Sequence, residues 1–332
     1  MIKNKLTFFF IILLISLAGA GYWCFLDYQK FLKNPLSLPH LYTLKKGMGI
    51  HALIYDLKEK SWLPEKQTYY FRLLAKLEGG KYHLKAGKYN LKQEITPIQL
   101  LQILDQGKAI SYHLTLIEGW SIKEVLQALA QSPQLIHQIK DSETNLMALI
   151  NQSKLHPEGQ FFPDTYAFSE TTTDIQFLKR SQQKMQKILA QEWAQRAENL
   201  PLKSPYEALI LASIIEKESA LASERNLIAG VFIKRLKMGM RLQTDPTVIY
   251  GMGALYHGNI RRKDLRKDTP YNTYTRKGLP PTPICMPGQG AIHAALHPEN
   301  KGYLYFVAKG KTGAHYFSKT LREHNRAVRK YQ

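Results

Sequence analysis

A lone carboxylate stands where a core leucine would be expected. In the segment Ser204 to Ser219, SPYEALILASIIEKES, the signals for a helix are complete. Ser204 suits the N-cap, Pro205 the first helical position, and Glu207 closes a Ser-x-x-Glu capping box. Leu211, Ile214 and Ile215 follow at i, i+3 and i+4 and share one face. At about 100° per residue, the position seven residues after Leu211 returns to within about 20° of it. That position is Glu218. Glu216, by the same count, points about 140° away, towards solvent. A carboxyl centred on an apolar stripe loses hydration, which favours its neutral form. Such a group can donate a proton near neutral pH, as a general acid must. The competing reading is a carboxylate ion-paired at the edge of the core.

The N-terminal segment bears on where such chemistry takes place. Leu6 to Leu26 is an uncharged run of 21 residues, long enough to cross a bilayer as a helix. Lys3 and Lys5 precede it, which predicts a cytoplasmic N-terminus, and Tyr22 and Trp23 suit the far interface. Ala18-Gly19-Ala20 resembles a signal-peptide cleavage site, but the apolar run continues six residues beyond Ala20, which favours an uncleaved anchor. The remainder is therefore expected on the outer, periplasmic side of the inner (cytoplasmic) membrane.

Composition narrows the partners. The chain has 46 Lys and Arg against 26 Asp and Glu, a formal charge of +20. On an exported domain this excess faces anionic lipid and acidic cell wall rather than nucleic acid. Cys24 lies in the membrane run and Cys285 is alone outside it, so no intrachain disulfide is expected. The histidines show no HExxH and no paired spacing, and neither a catalytic metal nor a cofactor is predicted.

Around Glu218, the pattern places the elements that must position it. Residues 27–39 read as a linker. A small mixed module follows over 40–110: a strand at Leu41 to Leu44, helices over Ile50 to Lys58 and Pro64 to Leu77, a strand within Tyr82 to Leu91 about Gly87, and a helix from Thr96 through Leu104. The stretch from Tyr42 (YTLKKGMGI, then Leu53 and Leu57) is echoed 72 residues later from Leu114 (LTLIEGWSI, then Val125 and Leu129). Each copy reads as strand, Gly turn and amphipathic helix, and two copies imply a paired subdomain rather than a solenoid. The first copy resembles the LysM module, a small glycan-binding unit; a purely structural role is the alternative. Beyond Asp141 the pattern changes to an aromatic loop, PEGQFFPDTY, then a long helix from Asp174 to Leu200 and another from Glu224 to Lys237, stopped by Gly239. Arg241 to Pro298, dense in Gly, Pro, Tyr and Thr, reads as long binding loops. Tyr303 to Ala308 and His315 to Phe317 read as strands, and Leu321 to Tyr331 as a closing helix.

Several blocks carry a resemblance: EGQFFPDTY, ALILASIIEKES, VFIKRLKMGMRLQTDPTVIYGMG, YNTYTRKGLPPTPI with PGQGAIHAALHP, and YLYFVAKGKTGAHYFS. Together they resemble the endolytic murein transglycosylase (YceG-like) family over nearly the whole chain. The resemblance implies a lytic transglycosylase that cuts the β-1,4 bond between N-acetylmuramic acid and N-acetylglucosamine within a glycan strand. The product is a 1,6-anhydromuramic end. The family's catalytic glutamate matches Glu218, acting as acid and then as base. Gln243, Asp245, Thr247, Tyr271, Asn272 and Tyr274 suit sugar hydroxyl and N-acetyl groups, with turn architecture as the alternative. Asp245 also suits a second carboxylate of a hydrolytic muramidase. Glu158 and Asp164 flank the aromatic loop, where they either shape the cleft or brace it. Arg276 and Lys277 suit muramic carboxylates or stem peptides.

The expected architecture is α+β: a tail (1–5), a transmembrane helix (6–26), the linker, the LysM-like module and a larger mixed α+β catalytic domain (111–332). The implied partners are peptidoglycan strands and, by resemblance, a peptidoglycan synthase. The rival class is a non-enzymatic wall-binding scaffold for such a synthase. Against it stands Glu218, whose burial costs stability without structural return.

Overall fold

The computed structural model describes residues 2–91, 94–139, 146–310 and 313–332. The change of pattern placed at Asp141 lies outside the described residues. Two compact units emerge, residues 1–112 with 169–171, and residues 113–168 with 172–332. Helix and strand are mixed in both.

The first unit begins with a helix, α1 (Ile2–Lys33), whose span Phe8–Lys33 is long and apolar enough to cross a membrane. The helix overruns the expected linker. Its last turns carry Tyr28 and Phe31, and Phe31 packs against Tyr70 and Phe71, so burial prolongs the helix into the first part of the expected linker. Strand β1 (Leu41–Leu44) pairs antiparallel with β2 (Gly87–Asn90), in register Leu41 to Asn90 and Leu44 to Gly87. Between them run α2 (Ile50–Glu59) and α3 (Glu65–Glu78), and α4 (Pro97–Gln106) follows. Thr96 and Gln99 form a reciprocal capping box, and Gly107 ends the helix at φ +71°, where L side chains are strained. Leu44, Leu53, Leu57, Phe71, Tyr89, Leu100 and Leu101 fill this core.

In the second unit β3 (Tyr112–Thr115) pairs with β4 (Thr165–Phe168), and α5 (Ile122–Ala130) and the short α6 (Leu146–Leu149) precede β4. Thr173 caps α7 (Asp174–Ala194). This helix stops six residues short of the expected Leu200, because Ala197 turns its N–H to the Leu296 carbonyl and Asn199 adopts φ +58°. Next come α8 (Pro205–Glu218) and α9 (Arg225–Lys237), ended by Gly239 at φ +63°. Ser204 caps α8 by accepting from the Glu207 N–H, but the Glu207 carboxylate accepts from Lys203 N–H rather than closing the box on Ser204.

The stretch from Arg241 to Pro298 is less loop-like than its composition implies. It holds α10 (Asp245–Met252), α11 (Arg262–Arg266) and α12 (Gln289–Leu296). The small residues of α12 (Ala291, Ala294, Ala295) let it lie close along α8, so the Gly- and Ala-rich run is a helix with one face buried. Antiparallel β5 (Tyr305–Ala308) and β6 (His315–Ser318) precede α13 (Leu321–Tyr331), which packs on both. The core gathers around α8, with Leu209, Leu211, Ile214, Ile215, Ile228, Phe232, Ile292 and Leu296 buried.

Candidate active site

Helix α8 is buried on every side from Ala208 to Ile215, and its axis delivers Glu218 as the final helical residue. The side chain emerges half-buried into a cleft of about 540 Å³. Arg235 of α9, Leu242, Gln243 and Asp245 line the cleft beside it. Tyr274, strand β5, His315 of β6, and His324 and Val328 of α13 complete the walls.

The protein around Glu218 strips water from its carboxyl, and this desolvation raises the pKa above the ordinary carboxylate range. The Thr244 hydroxyl, donating to Glu218 Oε1, opposes the shift, Asp245 adds to it by repulsion, and His315 and Arg235 oppose it by attraction. The C-terminal end of a helix disfavours negative charge as well. The site is thus biased towards a protonated acid that retains access to open space.

Backbone geometry supports the same point. Gln243 adopts φ +53°, unusual for a residue other than glycine, and its N–H donates to the Thr273 carbonyl at 3.1 Å. Thr244 N–H donates to Thr273 Oγ1 at 3.1 Å, and the Thr247 hydroxyl donates to the Thr244 carbonyl at 2.8 Å. These bonds fix Thr244 against Glu218 and turn Gln243 outward, exposed, at the cleft edge. Strain held in place beside a desolvated acid is characteristic of functional sites.

A family model described as the YceG-like family matches residues 42–330. The chain belongs to the YceG-like family. It is 31% identical over 328 residues to the endolytic murein transglycosylase of Bacillus subtilis, covering 92% of this chain and 89% of that one. It is 29% identical over 279 residues to the endolytic murein transglycosylase of Streptococcus pneumoniae strain D39, covering 74% of this chain and spanning half of that longer protein. Among solved structures, a yceG-like protein of Listeria monocytogenes aligns with a TM-score of 0.54 at 31% identity. That alignment covers 86% of this chain and 98% of the other.

The residues marked in the sequence of this YceG-like chain divide into two sets. Glu218, Gln243, Asp245 and Tyr274 share the cleft, where the Tyr274 hydroxyl donates to Asp245 Oδ1 at 2.6 Å. Burial and that carboxylate raise the Tyr274 pKa. Thr247, Tyr271, Asn272 and Glu158 are not among the cleft-lining residues. Thr247 is fully buried within the threonine cluster. Asn272 Nδ2 donates to the Asp264, Leu265 and Lys267 carbonyls and its Oδ1 accepts from Tyr274 N–H, so it shapes the loop that presents Tyr274. Tyr271 packs edge-on against Tyr250 and shares a hydrogen bond with Thr282. Glu158, 1% exposed, accepts from the Ile122 N–H at the start of α5 and from the Tyr250 hydroxyl. Asp164 is ion-paired with Lys184, and Arg276 with Asp268.

One sequence expectation is overturned. Glu216 does not reach solvent: its side chain is 6% exposed, accepts from Gly288 N–H at 2.9 Å and pairs with Arg225 at 3.3 Å. A helix buried all round has no face that an angular offset can deliver to water. Arg235 and His315 were missed as cleft residues, and Thr244 as the buried hydrogen-bond partner of Glu218. Thr244 lies in the same LQTDPTVIY block as Gln243, so adjacency alone pointed to it. Arg235 sits in a basic-looking helix end, and only tertiary contact reveals that its guanidinium is buried against the Leu242 and Leu304 carbonyls.

Proposed function

We propose that this protein is an endolytic peptidoglycan lytic transglycosylase with Glu218 as its catalytic residue. The carrying observation is the desolvated Glu218 carboxyl opening into a polar cleft beside Gln243, Asp245 and Tyr274. The names of the relatives support the reaction class. In the first step the Glu218 O–H donates its proton to the glycosidic oxygen, and the bond from muramyl C1 to that oxygen breaks. The N-acetylglucosamine hydroxyl leaves, and the cationic C1 is stabilised by the carboxylate that remains. The muramyl C6 hydroxyl oxygen then bonds to C1 while its proton passes to Glu218. The acid is restored, a 1,6-anhydro ring has formed and no water is consumed. One carboxyl suffices, unlike the paired carboxylates of ordinary glycoside hydrolases.

Gln243, Asp245 and Tyr274 hold hydroxyl and N-acetyl groups in this reading, while Thr247, Tyr271, Asn272 and Glu158 act beneath them as braces. The α1 helix serves as a single-pass anchor, with the N-terminus cytoplasmic and the cleft on the periplasmic side of the inner membrane. An anchored enzyme of this kind meets newly made strands first, beside the synthase that makes them. The unit holding β1 and β2 serves as the LysM-like glycan-binding module, a reading that rests on its strand, Gly turn and helix pattern. The domain limits are those drawn from the sequence, 40–110 for the module and 111–332 for the catalytic part.

The test is digestion of purified glycan by the detergent-solubilised full chain, with mass analysis of the products. Internal fragments with anhydro ends are expected. Fragments with reducing ends would instead make Asp245 the second carboxylate of a hydrolase, and binding without cleavage would leave a scaffold.

A further inference from the structure

Helices α7 and α12 bring together three side chains that play no part in the cleft. Glu192 lies in the last turn of α7, while His293 and His297 stand at i and i+4 along α12 and its C-cap. The run HAALH is thus a paired-histidine spacing, contrary to the sequence reading that found none. The two imidazoles stack with ring centroids 4.3 Å apart. His293 Nδ1 lies 2.9 Å from Glu192 Oε2, and His297 Nε2 lies 4.0 Å from the same oxygen. One ligand atom from each of the three residues falls within 4.8 Å of the others.

We propose that Glu192, His293 and His297 form a binding site for a divalent transition metal ion, zinc by its ligand set. Two imidazoles and a carboxylate, with a water in the fourth position, form a familiar tetrahedral zinc environment. Metal–ligand bonds of about 2.0–2.1 Å set neighbouring donor atoms about 3.3 Å apart in a tetrahedron. The two separations from Glu192 Oε2, 2.9 and 4.0 Å, bracket that value. His297 Nε2 is shielded from solvent and has no hydrogen-bond partner, an acceptor position that the ion would satisfy. Gln289 Nε2 donates to the other oxygen, Glu192 Oε1, at 3.1 Å and holds the carboxylate facing the histidines, as outer ligands do in metal sites. Because α12 lies along α8, an ion here would lock α7 and α12 into the frame that supports Glu218.

The test uses the untagged full chain in detergent, stripped with a chelator and titrated with zinc and then cobalt. One equivalent should bind, with cobalt showing the strong visible absorption of tetrahedral coordination. Zinc should also raise the thermal midpoint. His297→Ala and the shape-conserving Glu192→Gln should each weaken binding by at least about tenfold and abolish the thermal shift. His257→Ala, outside the cluster, should change neither. Absence of zinc binding by the natural chain, or equal binding by His297→Ala and Glu192→Gln, would overturn the proposal and leave an ordinary carboxylate–histidine ion pair.

Discussion

At the level of single residues, the proposed role of Glu218 ties activity and stability to the desolvation of one carboxyl. Glu218→Gln cannot supply a proton, and cleavage of isolated glycan should fall by about 10²–10⁴-fold. The proposed first step needs the protonated acid, so the rate should fall as pH rises through the elevated Glu218 pKa. Thr244→Val removes the hydroxyl that favours the charged form and should move this alkaline limb to higher pH, measured as a pH–rate profile. Stability follows the same group with a definite sign. A folded-state pKa above the unfolded value means that the native state holds the proton more tightly. The associated stabilisation is full below the unfolded pKa and is lost as pH rises through the folded one. Glu218→Gln carries no charge to desolvate, so its thermal midpoint should exceed that of the natural chain at neutral and alkaline pH. The gap should close towards acid pH, and an equal midpoint throughout would show Glu218 to be freely hydrated. That Glu218 is desolvated was legible in the sequence, but α8 is buried on every side, so the apolar stripe alone did not set it apart from Glu216. The burial of Glu216 was not legible, because its environment depends on Arg225 and on Gly288, which lies 72 residues away.

At the level of elements, local rules read well where local chemistry decides. Thr96, Thr173 and Thr320 each close a reciprocal capping box, and the helices they start begin within one residue of their expected positions. Endings set by distant partners read poorly, as the early stop of α7 shows. The stretch from Arg241 to Pro298 misled for a related reason. Gly and Ala density marks flexible loops in water, yet the same small residues permit close helix packing once a partner is present. Gly230 of α9 illustrates this contact. A Cβ built there collides with the backbone carbonyl of Glu299, whose N–H is already held by the Asn226 carbonyl. Backbone cannot rotate away as a side-chain tip can. Gly230→Ala should therefore destabilise the chain by about 1–3 kcal/mol, despite the better helix propensity of alanine, as read by chemical denaturation. A stabilised variant would show that α9 has room to slide.

At the scale of the whole molecule, the sequence marks an apolar run ending at Leu26, whereas the structure carries that helix seven residues further, into folded protein. The difference matters for where the chain can be cut. Asp27 accepts from the Tyr70 hydroxyl at 2.7 Å and pairs with Lys66 at 2.6 Å. Phe31 is 5% exposed and Leu36 3%, and Leu36 N–H donates to the Ile95 carbonyl at 2.8 Å. Phe31 and Leu36 are thus part of the first unit's core. A chain beginning at Asp27 keeps these contacts and should be soluble, with its first unit as stable as in the anchored protein. One beginning at His40 loses Phe31 from between Tyr70 and Phe71, a loss comparable to a Phe→Ala core truncation of about 3–5 kcal/mol. Amide exchange should accordingly quicken in α3 and around Ile95 of the shorter chain while the Glu218 helix keeps its protection, because α8 draws its core from residues beyond 113. Equal protection of α3 in the two chains would show the end of α1 to be an independent stalk. Phe31→Ala in the full chain makes the same comparison without moving a terminus, and it should quicken exchange in the same helices.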